Sequence, residues 1–363
     1  MGSLKILVLD GDGIGPEVNA QAIRLLDAIA ERTDLSFTYE HAAFGGASLD
    51  LHGVPLTDET VAQAKASDAV LLGAVGGPQW DDVAPHLRAE RGLLRIRKEL
   101  GVYANIRPGR FYDCLQDSGP LRPERTAGAD FVIIRELVSG IYFGEPRGIA
   151  EDGQSGWNTL RYTADEVKRV AKFGFELAKQ RGGKLTSVDK ANVLEVMRMW
   201  RNVVTEMGAT EYPEVELEHA YVDAYAMTLV TWPNSCNVIV TGNMFGDILS
   251  DIAAALTGSL GMLPSASLGD GTAIYEPVHG SAPDIAGQGK ANPIAAILSA
   301  AMLLEHTARR ADLAKIVQEA VEATLADGLR TGDILTKGAQ GVRLVGTQEM
   351  ADAIIAHVVK RLG

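Results

Sequence analysis

The chain has 363 residues, enough for two domains, and its 46% hydrophobic side chains suffice for ordinary buried cores. Its formal net charge of −13 argues against nucleic acid and anionic lipid, which call for a basic face, and leaves small-molecule chemistry as the expected class. Cys114 and Cys236, without CxxC spacing, exclude a disulfide framework or a structural zinc site, and no secretory start or membrane-length apolar run is present, so a cytoplasmic enzyme is expected.

The chain opens with "LVLDGDGIGPEV" at 7–18, an apolar run that breaks into glycines. It is not the dinucleotide fingerprint G-x-G-x-x-G, because Pro16 stands where the third glycine belongs, so a Rossmann fold is not expected. The patterning predicts a strand over 5–10, a helix over 16–30, a strand over 35–44, a helix over 57–66 and a buried strand over 69–72. Pro16 and Glu17 suit the first turn of that first helix. Such alternation predicts an α/β architecture on a mostly parallel sheet.

From about 103 the pattern changes to strands separated by less regular helices, and the glycine-rich stretch 144–157 reads as an extended arm or hairpin. From about 258 it returns to long alanine-rich helices, ending in "TQEMADAIIAHVVKRL" with a threonine cap and a basic last turn. No proline-rich linker separates these regions. One domain is therefore expected to be inserted into the other.

Asp247 and Asp251 in "NMFGDILSDIAAAL" are four residues apart, which puts both carboxylates on one face of a helix. Alone, that spacing describes a solvated face. With a third acid, Asp223, in the otherwise apolar "HAYVDAYAM", it suits a hard divalent cation, Mg²⁺ or Mn²⁺. Arg97, Arg107 and Arg135 each end or follow an apolar run, and three guanidiniums without an obvious surface role imply a substrate with more than one carboxylate. Lys190 in "SVDKANVLE" and Tyr142 in "SGIYFGEPRG" are either structural or acid–base groups, the latter requiring a nearby metal and cations to lower both pKa values. The second glycine-rich segment, "YEPVHGSAPDIAGQGKANP" at 275–293, carries Asp284, an acceptor suited to a ribose diol.

These segments, with "LLGAVGGPQWD", "GLLRIRKELGVYANIRP" and "GMLPSASLG", resemble in order the β-decarboxylating dehydrogenases of 2-hydroxy acids, the isocitrate/isopropylmalate dehydrogenase family. The resemblance implies a first domain from 1–102 and 258–363, an inserted second α/β domain from 103–257 with a dimerisation arm, and a homodimer with shared active sites. It implies NAD-dependent oxidation and decarboxylation of a 3-alkylmalate, with 3-isopropylmalate giving 4-methyl-2-oxopentanoate for leucine biosynthesis. Arg97, Arg107 and Arg135 would bind the malate carboxylates, while Asp223, Asp247 and Asp251 would hold Mg²⁺ or Mn²⁺, with K⁺ as an additional monovalent ion. Lys190 would be the base and Tyr142 the acid, with Lys190 and Asp223 supplied by the partner subunit.

By the same resemblance, Leu93 and Leu94 beside Glu90, with Val193 from the partner, would wall an apolar substituent. NAD would meet Ile14 and the loop of His279, Gly280, Ser281, Ala282, Pro283, Asp284, Ile285, Ala291 and Asn292, where Asp284 followed by Ile285 favours NAD over a 2′-phosphorylated cofactor. The chain departs from the family pattern at Val138, Ser139 and Asn237, where Thr-Gly and Asp are customary, which leaves D-malate, tartrate, homoisocitrate or another 3-substituted malate as rival substrates. A catalytically silent regulatory paralogue is the rival from another class.

Overall fold

The structure is a computed structural model that describes residues 3–116 and 118–363. The chain packs as two compact units, one made of the chain up to Val102 with Tyr112–Pro120 and Thr257–Gly363, the other of Tyr103–Phe111 and Leu121–Leu256. The expected boundaries put 112–120 with the inserted portion. Packing puts it with the first unit instead, where Arg330 donates to the Cys114 carbonyl at 2.7 Å and the Ser118 hydroxyl to the Ile334 carbonyl at 3.1 Å.

In the first unit the strands run in the order Phe37–His41, Leu4–Gly11, Ala69–Ala74, Ala273–Pro277 and Pro264–Gly269. The first three pairings are parallel and the last is antiparallel. Ala69–Ala74 is buried at every residue, as a parallel strand covered on both faces must be, which explains its unbroken apolar run. The helix Ile294–His306 is buried from Ile294 through Leu304, so it reads as hydrophobic all round and forms the centre of this core. The helix Gly15–Ala30 begins with proline in its first turn and carries Glu17 there.

The second unit repeats the plan with Val102–Arg110, Asp130–Glu136, Val238–Thr241, Lys184–Asp189 and Glu216–Tyr221. Here the first pairing is antiparallel and the rest are parallel. Its core gathers Phe131, Ile133, Val188, Leu229, Ile239 and Leu249. Contrary to the expectation of irregular helices, it contains two regular ones of 17 residues, Ala164–Gln180 and Glu195–Glu211. Thr163 starts the former with a full capping box, its hydroxyl taking the Glu166 N–H while the Glu166 carboxylate takes its own N–H. The arm is a minimal antiparallel hairpin, Gly148–Ile149 against Gly156–Trp157.

The expected threonine cap of the last helix, Thr347–Leu362, is not one. Gly346 is the N-cap, and the Thr347 hydroxyl donates instead to the Ala291 carbonyl at 2.6 Å, so a distant loop claims the group that local sequence assigns to capping. Among the described residues, no helix is long and apolar enough to cross a membrane.

Candidate active site

In the second unit, antiparallel pairing sets Asn105 opposite Arg135, and Arg107 lies two residues from Asn105, so all three side chains share a face. The helix Asn243–Leu256 supplies their partners. Arg107 is 8% exposed and donates to Asn105 Oδ1 and Ser250 Oγ, both at 2.6 Å, with Asp247 at 3.7 Å and Asp251 at 3.9 Å. Arg135 is 3% exposed and donates through Nη1 to Asp247 Oδ1, and through Nε and Nη2 to Asn243 Oδ1. Buried guanidiniums persist only when bonded in this way.

Tyr142 lies in a single tight turn, Gly140–Tyr142, and donates its phenol proton to Asp247 Oδ2 at 3.0 Å. The protein groups alone shift its pKa upward. Burial pushes the phenol up, and the neighbouring Asp247 carboxylate adds to this by penalising a phenolate. Asp251 is also pushed up, by desolvation and then by Asp247 one turn away, a repulsion that a bound divalent cation would relieve. These two carboxylates are hard oxygen donors on one helix face and fit such an ion.

Lys190 directly follows the strand Lys184–Asp189, and Asp223 lies just past the adjacent strand Glu216–Tyr221, whose Tyr221 pairs with Asp189. Adjacent strand ends bring Lys190 Nζ to 2.7 Å from Asp223 Oδ1. This bond holds the Asp223 carboxyl below its ordinary range. The turn is fixed from beneath by fully buried Asp189, which accepts two bonds of 2.9 Å from Arg201 and one from the Ala191 N–H. Among the described residues of one chain, no three His, Cys, Asp or Glu side chains are grouped to hold a metal ion. Asp223, whose side chain is 68% exposed, faces solvent rather than joining Asp247 and Asp251.

In the first unit, Arg97 is buried in the helix Ala89–Glu99 and donates to Glu276 of the strand Ala273–Pro277 at 2.6 Å. Each of the three arginines thus meets a carboxylate in its own unit. Arg97 Nε is nonetheless buried without a hydrogen-bond partner among the described residues, leaving a donor for a bound group. Leu93 and Leu94 are half-buried on the same helix, Glu90 is exposed, and the Glu90 carboxylate lies over Gly76.

The opening glycine loop and the second glycine-rich loop touch. The Ile14 N–H donates to the Ser281 carbonyl at 2.8 Å, and a Cβ on Gly13 would lie 2.0 Å from that oxygen. Only glycine fits there. Asp12, which sequence reading did not single out, is 3% exposed and accepts the backbone N–H groups of Gly46 (2.8 Å), Ala47 (2.8 Å) and Gly76 (2.7 Å), tying two loops to the end of the first strand.

In the 279–292 loop, Gly280, Ala282, Pro283 and Asp284 are exposed, Ile285 is half-buried, and Ala282 has a φ of +38°. Ser281, Ala291 and Asn292 are buried, and Asn292 is anchored by donating to Asp333 at 3.0 Å. Burial holds the His279 imidazole below its usual pKa, and its Nε2 lacks a partner among the described residues. An exposed carboxylate, an orphaned imidazole nitrogen and a strained exposed backbone fit a nucleotide's polar edges.

The family departures have local explanations. The N–H groups of Val138 and Ser139 both donate to Glu136 at 3.0 Å, and the Ser139 hydroxyl donates to Glu166 at 2.5 Å. Glu136 is fully buried, which pushes its pKa up to about 7. Asn237 donates to the Arg181 carbonyl at 2.8 Å, a bond that a carboxylate could not make.

Comparison with known proteins extends this geometry to a lineage. A profile described as isocitrate/isopropylmalate dehydrogenase matches residues 5–354. A 3-isopropylmalate dehydrogenase of Aquifex aeolicus is 54% identical over 99% of this chain and 98% of its own length. One of Acinetobacter baylyi is 54% identical over 98% and 99%. Among solved structures, isocitrate dehydrogenase from Methylococcus capsulatus superposes with a TM-score of 0.86 at 32% identity, covering 98% of this chain and 99% of that one. A beta-decarboxylating dehydrogenase from Thermococcus kodakarensis gives 0.80 at 36%, covering 98% and 96%. With likeness running over nearly the whole chain in both sequence and fold, this protein belongs to the isocitrate/isopropylmalate dehydrogenase family.

Proposed function

We propose that this enzyme oxidises and decarboxylates 3-isopropylmalate to 4-methyl-2-oxopentanoate with NAD, a step of leucine biosynthesis in the cytoplasm. The observation that carries the reading is the bonded cluster of Arg107, Arg135, Tyr142 and Asp247, in which anion-binding, proton-donating and cation-binding groups are held together. Near-full-length kinship with enzymes of that name supports the substrate. Arg97, Arg107 and Arg135 bind the two carboxylates, and the half-buried Leu93 and Leu94 favour an isopropyl group over the third carboxylate of isocitrate.

Asp247 and Asp251 hold a Mg²⁺ or Mn²⁺ ion together with a partner's Asp223, and His279, Asp284 and their loop hold NAD. When bound, the cation supplies Lewis acidity at the C2 oxygen and NAD supplies the hydride acceptor. Lys190 takes the proton of the C2 hydroxyl. The arginines keep the carboxylates in place, and the carboxylate on C3 leaves as CO₂. Tyr142 then gives a proton to C3 of the resulting enol.

The acting assembly is a homodimer. Ile149 and Trp157 on the hairpin, with Val193, Met227, Trp232 and Ile248, are exposed apolar side chains of one unit that a second copy would cover. Initial rates of NADH formation with Mg²⁺ test the substrate assignment. The expected order puts 3-isopropylmalate above D-malate, tartrate, homoisocitrate and isocitrate in kcat/KM. A higher value for any of the others overturns it, and activity only after addition of a second, different chain makes this one a regulatory subunit.

A further inference from the structure

Asn243 opens the helix Asn243–Leu256 one turn before Asp247, so the two side chains share a face. It is 1% exposed and fully engaged. Its Oδ1 accepts from Arg135 Nε at 3.0 Å and Nη2 at 2.8 Å, its Nδ2 donates to the Ser139 carbonyl at 3.1 Å, and its backbone N–H donates to the Tyr162 hydroxyl at 2.8 Å. The other edge of the Arg135 guanidinium donates to Asp247. A Cβ at Gly246 would lie 2.7 Å from Arg135 Cβ, so the helix backbone also presses on the arginine stem.

The amide offers an acceptor to the cation through its oxygen and a donor to the carbonyl through its nitrogen, two bonds made by separate atoms of one rigid plane. Being neutral, it fixes the guanidinium plane without cancelling the arginine's charge, as a second carboxylate beside Asp247 would. We infer that Asn243 is a positioning residue for substrate binding, setting the orientation in which Arg135 meets a substrate carboxylate. This rests on the reading of Arg135 as a carboxylate ligand.

The test is a double-mutant cycle in the full-length enzyme with Mg²⁺, measuring kcat and the KM values for 3-isopropylmalate and NAD. Asn243→Ala is expected to raise the malate KM about 10- to 100-fold with the NAD KM within about twofold of wild type. Added to Arg135→Met, it causes no further loss, because the two act as one unit. Asn243→Asp, nearly isosteric, raises the malate KM at least as much by neutralising the guanidinium, and keeps the test open if the alanine variant does not fold.

A wild-type malate KM in Asn243→Asp, a parallel rise in both KM values, or losses additive with Arg135→Met overturn the inference. A raised malate KM in Arg135→Met beside an unchanged one in Asn243→Ala refutes this inference alone. An unchanged malate KM in Arg135→Met refutes the carboxylate assignment itself, and the inference with it.

Discussion

In the unit that contains Arg107, Arg135, Tyr142 and Asp247, the candidate groups are side chains drawn from two strands, a turn and a helix and joined by buried or part-buried bonds. In the unit that contains residues 279–292, the cofactor candidates lie along one loop, exposed at Gly280, Ala282, Pro283 and Asp284 and steadied by buried Asn292 and by the Ile14 contact to Ser281. Both units use five strands with three parallel pairings and one antiparallel pairing, so the contrast does not come from the sheet plan. It reflects the task. Moving protons and holding a cation require fixed charges at fixed spacing, whereas a nucleotide can be recognised by loop shape and a few polar atoms.

The contrast breaks most visibly if the charges are removed. Lys190→Met and Asp247→Asn are each expected to lower kcat by about a thousandfold or more while NAD affinity, read by nicotinamide fluorescence, stays within about twofold. Near-normal kcat in either variant removes that residue from the scheme.

Glu136 offers the next largest effect, on stability. Its ordinary pKa of 4.5 is raised to about 7 in the folded state, so folding favours its protonated form. The stabilisation linked to that proton is complete below pH 4.5 and lost as pH rises through about 7, amounting to about 3 kcal/mol. Urea unfolding at pH 5.5 and pH 8 should therefore shift the balance toward Glu136→Gln, relative to wild type, at the higher pH. An equal stability difference at the two pH values would contradict the assignment.

In the loop unit, Asp284→Ala should raise the KM for NAD about tenfold and narrow the preference over NADP, leaving the malate KM unchanged. A change in the malate KM instead would blur the division of labour. The smallest expected effect is that of Thr163→Ala, which removes a helix cap and should cost about 1 kcal/mol in thermal unfolding with no change in kcat.

Local chemistry was legible and distant pairing was not. The four-residue spacing of Asp247 and Asp251 is a property of one helix, and the apolar run of Ala69–Ala74 is a property of one strand, so sequence periodicity reveals both. Arg97 meets Glu276 across 179 residues, and Asp12 meets Gly46 and Gly76 across 34 and 64. No local pattern encodes such partners. The same limit explains Thr347, whose cap-like sequence is overridden by the Ala291 carbonyl 56 residues earlier, and Asn243, which carries no charge to mark it in a motif dominated by its aspartates.

In a shared site, Lys190 and Asp223 of one chain would complete the cluster of Arg107, Arg135, Tyr142, Asp247 and Asp251 in another. A hybrid dimer of one Lys190→Met chain and one Asp247→Asn chain, co-expressed with distinct tags and purified through both, tests it directly. Shared sites leave one site fully native and one doubly altered, so the hybrid should show about half the wild-type kcat although both parent homodimers are inactive. A hybrid as inactive as its parents would mean that each chain builds its site alone, and would contradict the account.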